Sequence, residues 1–147
     1  MKEVTPQEAY ELMRNDKDCI YLDVRSVPEF DAGHPEGAIN IPLLHYTPST
    51  GMYPNQDFPS VVEGNLPKDA KLVVGCKSGA RSAQACQVLS QMGYTDVSNV
   101  RGGYGGAVDN FGRVVEPGWS TLNLPVSEES TEGARYDALA AKAKGQG

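Results

Sequence analysis

The sequence is poor in several things, and each scarcity narrows what the chain does. Cysteine occurs only three times in 147 residues, at Cys19, Cys76 and Cys86. The odd count, the wide spacing and the lack of a C-x-x-C pair exclude a disulfide framework and a thiolate zinc site. No apolar run approaches the roughly 20 residues that cross a bilayer. The opening Met1-Lys2-Glu3-Val4-Thr5-Pro6 lacks the apolar centre of a signal peptide, so the expected location is the cytoplasm. Basic clusters are missing too: the formal charge is −6, and Lys and Arg are scattered. Nucleic acid and anionic membrane, which need clustered cations, are therefore not expected as partners. Gly102-Gly103 and Gly105-Gly106 lack the Lys-Ser/Thr ending of a phosphate loop and the spacing of a dinucleotide fingerprint, and read as turns. No metal and no cofactor is expected.

What is there fits one globular domain. The hydrophobic share is 39% and the charged share 22%, enough for a chain of this size to bury roughly 70% of its unfolded surface. Residues 1–125 read as that domain. Residues 126–147 read as a tail, acidic at Glu128, Glu129 and Glu132 and Ala/Lys-rich from Ala138 to Lys144. That charge order suits a helix dipole, and a terminal segment is open to fraying.

Thr5-Pro6-Gln7-Glu8 is a capping-box start with proline in the first turn, predicting a helix to about Arg14 that buries Ala9, Leu12 and Met13. Cys19 to Leu22 and Lys71 to Val74 are nearly continuous apolar runs, the pattern of strands buried on both faces. Ala38 to Ile41, Val97 to Val100 and a short Lys2 to Val4 add three more strands. Pro28-Glu29-Phe30 marks a short helix closed by Gly33. Ala80 to Met92 follows helical period and stops at Gly93. Between Leu43 and Leu66 the signals are turn-like, with one short helix expected near Gln56 to Val62 and a surface overhanging the site. Helices alternating with strands predict an α/β fold: a five-stranded parallel sheet sandwiched between helix layers.

Cysteine 76 stands apart from the other two. Cys19 and Cys86 lie in apolar segments and read as packed small hydrophobes. Cys76-Lys77-Ser78-Gly79-Ala80-Arg81-Ser82 instead joins a buried strand to a helix. Ligands of open α/β sheets bind beyond the carboxyl ends of strands. A loop of small residues there lets successive amides converge on one point, and the helix start adds unpaired N–H groups and a positive dipole end. Lys77 and Arg81 add charge. Such surroundings favour a thiolate without a histidine, and Gly79 lets the backbone curl where a Cβ would intrude.

The loop resembles that of the rhodanese family of sulfurtransferases. Leu22-Asp23-Val24-Arg25, Glu29-Phe30, Gly33-His34 and Gly37 to Pro42 resemble the family's N-terminal signature, and Gly102-Gly103-Tyr104 resembles the glycine pair and aromatic after its last strand. The Pro48 to Phe58 insertion is similar to that of single-domain bacterial and plant members. One departure is Ala107, where many relatives carry tryptophan; Trp119 is the candidate to fill that space.

The resemblance implies ping-pong transfer of a sulfane sulfur through a Cys76 persulfide, from thiosulfate or another anionic donor to cyanide, a thiol or a protein cysteine. Cys76 is the expected catalytic residue. Lys77, Ser78, Gly79, Ala80, Arg81 and Ser82 form the expected binding loop, with Lys77 and Arg81 orienting the donor, Arg81 as a bidentate fork. Asp23 and Arg25 are expected to give hydrogen-bonded support, and His34 to be a turn residue. Two rivals remain: a persulfide carrier serving a protein partner, and a phosphatase or arsenate reductase of the Cys-Arg type. The latter enzymes place five residues between Cys and Arg, whereas here there are four, and Ser82 stands where their arginine belongs.

Overall fold

The computed structural model describes residues 2–145; Met1 and the last two positions of the tail, Gln146 and Gly147, lie outside them. Five strands build one sheet: β1 (Lys2–Val4), β2 (Cys19–Asp23), β3 (Ile39–Asn40), β4 (Lys71–Gly75) and β5 (Asp96–Val100). They lie in the order β1-β5-β4-β2-β3, and each neighbouring pair is parallel. All carboxyl ends therefore gather at one edge, with β4 in the middle.

Five helices cover the sheet: α1 (Pro6–Asn15), α2 (Val27–Ala32), α3 (Phe58–Asn65), α4 (Ala80–Gln91) and α5 (Tyr136–Ala143). The strands alternate faces, as a two-residue period requires. Tyr21 and Val73 meet Ala9 of α1, Phe30 of α2 and Trp119 on one side. Leu22 and Val74 meet Phe58, Val61 and Val62 of α3, Ala85, Cys86 and Leu89 of α4, and Leu139 of α5 on the other. No helix among the described residues is long and apolar enough to cross a membrane.

The local signals act as read. Thr5 accepts from the Glu8 amide while Glu8 Oε1 accepts from the Thr5 amide at 2.8 Å, closing the capping box of α1. Leu12 departs from expectation and is exposed. The inward stripe of α1 runs through Pro6, Ala9, Tyr10 and Met13, and at about 100° per residue Leu12 falls on its flank. Trp119 is fully buried against Tyr10 and Tyr21, edge-on, with Nε1 donating to the Pro125 carbonyl at 2.7 Å.

Two segments hold more structure than the turn-like and tail-like signals suggest. Within 43–66, Leu44–Thr47 and Gly51–Pro54 pair as an antiparallel hairpin before α3. Within the described part of the tail, Val126–Ser127 pairs with His34–Pro35, and α5 lays Leu139 against α3.

Candidate active site

β4 delivers Cys76 to the centre of the carboxyl edge, one residue beyond Gly75. A Cβ at Gly75 would stand 1.9 Å from the Tyr21 hydroxyl, so only glycine lets that ring pack beneath the strand end. The chain then turns through Lys77 and Ser78 into Gly79, whose φ of +118° lies in the range that glycine tolerates. Gly79 caps α4, and the turn carries its N–H back to Cys76 Sγ at 3.0 Å. Ser82, in the first turn of α4, puts Oγ 3.4 Å from the same sulfur. The amides of Lys77, Ser78, Ala80, Arg81 and Ser82 take no acceptor among the described residues, as the open start of a helix requires.

The sulfur is nearly sealed, with Cys76 1% exposed. A second layer holds the loop from below. The Tyr104 amide donates to the Cys76 carbonyl at 2.7 Å and the Gly105 amide to the Lys77 carbonyl at 2.8 Å. This contact needs Gly103, with φ +53°, because a Cβ there would come within 2.3 Å of the Cys76 oxygen. The glycine pair after β5 is thus the floor of the cysteine loop.

Asp23 and Arg25 form a buried pair, Nη2 to Oδ2 at 2.7 Å. Arg25 Nη2 also donates to the Gly33 carbonyl at 2.7 Å, and its guanidinium lies over the Tyr104 ring at 4.3 Å. Burial opposes the Arg25 charge, but the Asp23 carboxylate outweighs it and raises the guanidinium's pKa. Asn40 Nδ2 donates to the carbonyls of Asp23 and Arg25 at 3.0 and 2.9 Å. The pair therefore reaches the cysteine loop through Tyr104. His34 is buried, with its ring stacked on Phe30 and Nδ1 2.7 Å from the Phe30 carbonyl.

Arg81 differs from expectation. Its Nη1 and Nη2 grip Glu29 Oε1 and Oε2 at 2.7 and 3.0 Å, so the fork anticipated for a donor is occupied by a carboxylate of α2. The reason is that Glu29 is both the N3 residue of the α2 capping box and the neighbour of α4 across the site edge; Ser26 N and Oγ donate to the same Oε1. Burial would push the Glu29 carboxyl up, but Arg81 and Ser26 together hold it at about 2. Lys77 is exposed and makes no ion pair among the described residues. Glu29 was legible only as part of the short Pro28-Glu29-Phe30 helix and of the family signature; nothing in its spacing announced an arginine 52 residues away. Asn99, which accepts from Ser82, carried no signal at all.

Burial pushes the other two thiols up, Cys86 to about 12.

The rhodanese-like domain model matches residues 5–109, most of the chain. The chain belongs to the rhodanese-like family. Among curated relatives, this rhodanese-like domain is 46% identical over 92 residues to thiosulfate sulfurtransferase 18 of Arabidopsis thaliana, covering 61% of this chain and 67% of that protein. It is 43% identical over 84 residues to the chloroplastic thiosulfate sulfurtransferase 16 of the same plant, covering 57% and 69%. It is 36% identical to the senescence-associated protein DIN1 of Raphanus sativus, spanning 74% of this chain but only about half, 52%, of that protein's length. The rhodanese-like domain also superimposes on the crystal structure of Rv0390 from M. tuberculosis with a TM-score of 0.74, at 25% identity, covering 88% of this chain and 98% of that one. The five-stranded parallel sheet between helix layers is the fold expected from sequence.

Proposed function

We propose that the protein is a thiosulfate sulfurtransferase that carries sulfur as a persulfide on Cys76. The observation that carries the reading is the Gly79 amide on Cys76 Sγ, in a loop where the amides of Lys77, Ser78, Ala80, Arg81 and Ser82 have no acceptor among the described residues. An N–H group aimed at the sulfur stabilises the negative charge of a persulfide without reorganising. The thiolate attacks the outer sulfur of thiosulfate; the new S–S bond forms as the old one breaks, and sulfite leaves with the electron pair. A thiophilic acceptor (cyanide, a small thiol or a protein cysteine) then attacks the outer sulfur and returns the thiolate. Dividing the transfer in two is the benefit of a covalent intermediate. Lys77 supplies the free cation at the mouth. Arg81, paired with Glu29, holds α4 in register with α2.

The four residues between Cys76 and Arg81 and the occupied arginine fork favour a cradle for a single sulfur atom over one for a phosphate or arsenate group. Mass spectrometry of the intact protein after thiosulfate is the direct test. The expected result is a gain of one sulfur, reversed by reductant and absent in Cys76→Ala. Phosphate release from an aryl phosphate, lost in Cys76→Ser and without sulfur loading, would overturn the proposal. Replacing Arg81 with alanine leaves the Glu29 carboxylate unpaired at the site edge, where it repels an anionic donor, and is expected to weaken thiosulfate use at least about tenfold; an unchanged rate removes Arg81 from the site.

A further inference from the structure

Ser82 has one hydroxyl proton and three acceptors in reach. Its Oγ is 3.4 Å from Cys76 Sγ, 3.1 Å from the Gly79 carbonyl and in short contact with Asn99 Oδ1. A hydroxyl donates to one of these at a time. Asn99 sits on β5 directly across from Glu3 of β1, and its Nδ2 donates to Glu3 Oε2 at 3.3 Å. A carboxylate accepts only, so it draws the NH2 of the amide towards itself and turns the amide oxygen to Ser82. Asn99 and Ser82 are both buried, where an amide oxygen left unpaired is costly. The Ser82 proton therefore rests on Asn99, and the sulfur keeps the Gly79 amide as its one donor.

We propose that Asn99 is a positioning residue for the sulfur-transfer site, holding the Ser82 proton away from Cys76 Sγ until negative charge develops on the sulfur. The idea rests on the sulfurtransferase reading for its purpose, though not for its chemistry. A neutral thiol can donate its S–H to the Ser82 oxygen while Ser82 donates to Asn99. A thiolate or persulfide has no proton to give, and the hydroxyl must rotate to it, leaving Asn99 Oδ1. Asn99 thus competes with the sulfur for one hydrogen bond, and the strength of that competition sets how readily the anion forms.

The test is the pH profile of Cys76 alkylation by iodoacetamide. Asn99→Leu keeps the branching at Cγ and removes the competing acceptor, and it is expected to speed alkylation about threefold on the acidic side of the profile. Ser82→Ala, which removes the donor, is expected to slow it. In the Ser82→Ala background Asn99→Leu is expected to have no further effect, because Asn99 acts only through that hydroxyl. An unchanged or slower Asn99→Leu, or the same change with Ser82 absent, overturns the proposal. Asn99→Ala gives the same readout should leucine disturb the fold. Sulfur loading of the unaltered protein by thiosulfate is read separately by mass. Its failure would reject the sulfurtransferase reading while leaving the alkylation result standing.

Discussion

Gly103 carries two demands at once, a φ of +53° and room for the Cys76 carbonyl 2.3 Å from where a Cβ would stand. Alanine there meets backbone rather than a yielding side chain. Gly103→Ala is expected to destabilise by about 1–2 kcal/mol or more and to lower transfer at least about tenfold, since the floor of the loop must move. Thermal melts and thiosulfate turnover check both. At this scale the loop was readable as a loop. Cys76 and the small residues after it read as a strand-to-helix loop at the carboxyl edge, and that is where they lie. Asn99 had none, because a polar residue inside a strand looks the same whether it faces solvent or a serine.

At the scale of elements, α5 is the instructive case. Its sequence is rich in alanine and lysine and short of large apolar groups, so the tail looked loosely held. Small residues are what a close approach to α3 requires: Gly64 lies so near Ala143 that a Cβ would come within 2.6 Å of it. Asn65 adds a bond from Nδ2 to the Leu139 carbonyl at 2.9 Å. Leu139→Ala is expected to cost about 2 kcal/mol, or about 4–8 °C in Tm, at the low end for a buried leucine because the helix is terminal. Sulfur transfer below the melt should persist, and calorimetry with an activity assay tests the pair of outcomes. The hairpin at 44–54 escaped notice for a related reason. Its strands hold Pro48, Gly51 and Pro54 at or beside their ends, and turn residues masked the short pairing between them.

For the whole molecule, the Glu29–Arg81 link ties the two helices that flank the site, and it has a pH signature. The Glu29 carboxyl is held at about 2 against an ordinary 4.5, burial being outweighed by Arg81 and Ser26. A carboxylate lowered on folding stabilises the fold above its unfolded value, and that contribution is lost as pH falls from about 4.5 towards about 2. Solvent screens the pair in part, since the side chains are 16% and 25% exposed. Stability of Glu29→Gln against the natural chain should therefore differ most at neutral pH and converge below about pH 2. A constant difference through that window would remove the link from the acid response.

Hydrophobic period, capping residues and turn glycines are local, and they determined from sequence alone the five strands, the alternation with helices and the loop that bears Cys76. Which distant partner a polar side chain takes was decided only by tertiary structure. Arg81 meets Glu29 and Ser82 meets Asn99 because the parallel order β1-β5-β4-β2-β3 brings distant carboxyl ends to one edge. Hydrogen bonds act over about 3 Å, and a single sequence does not carry those distances.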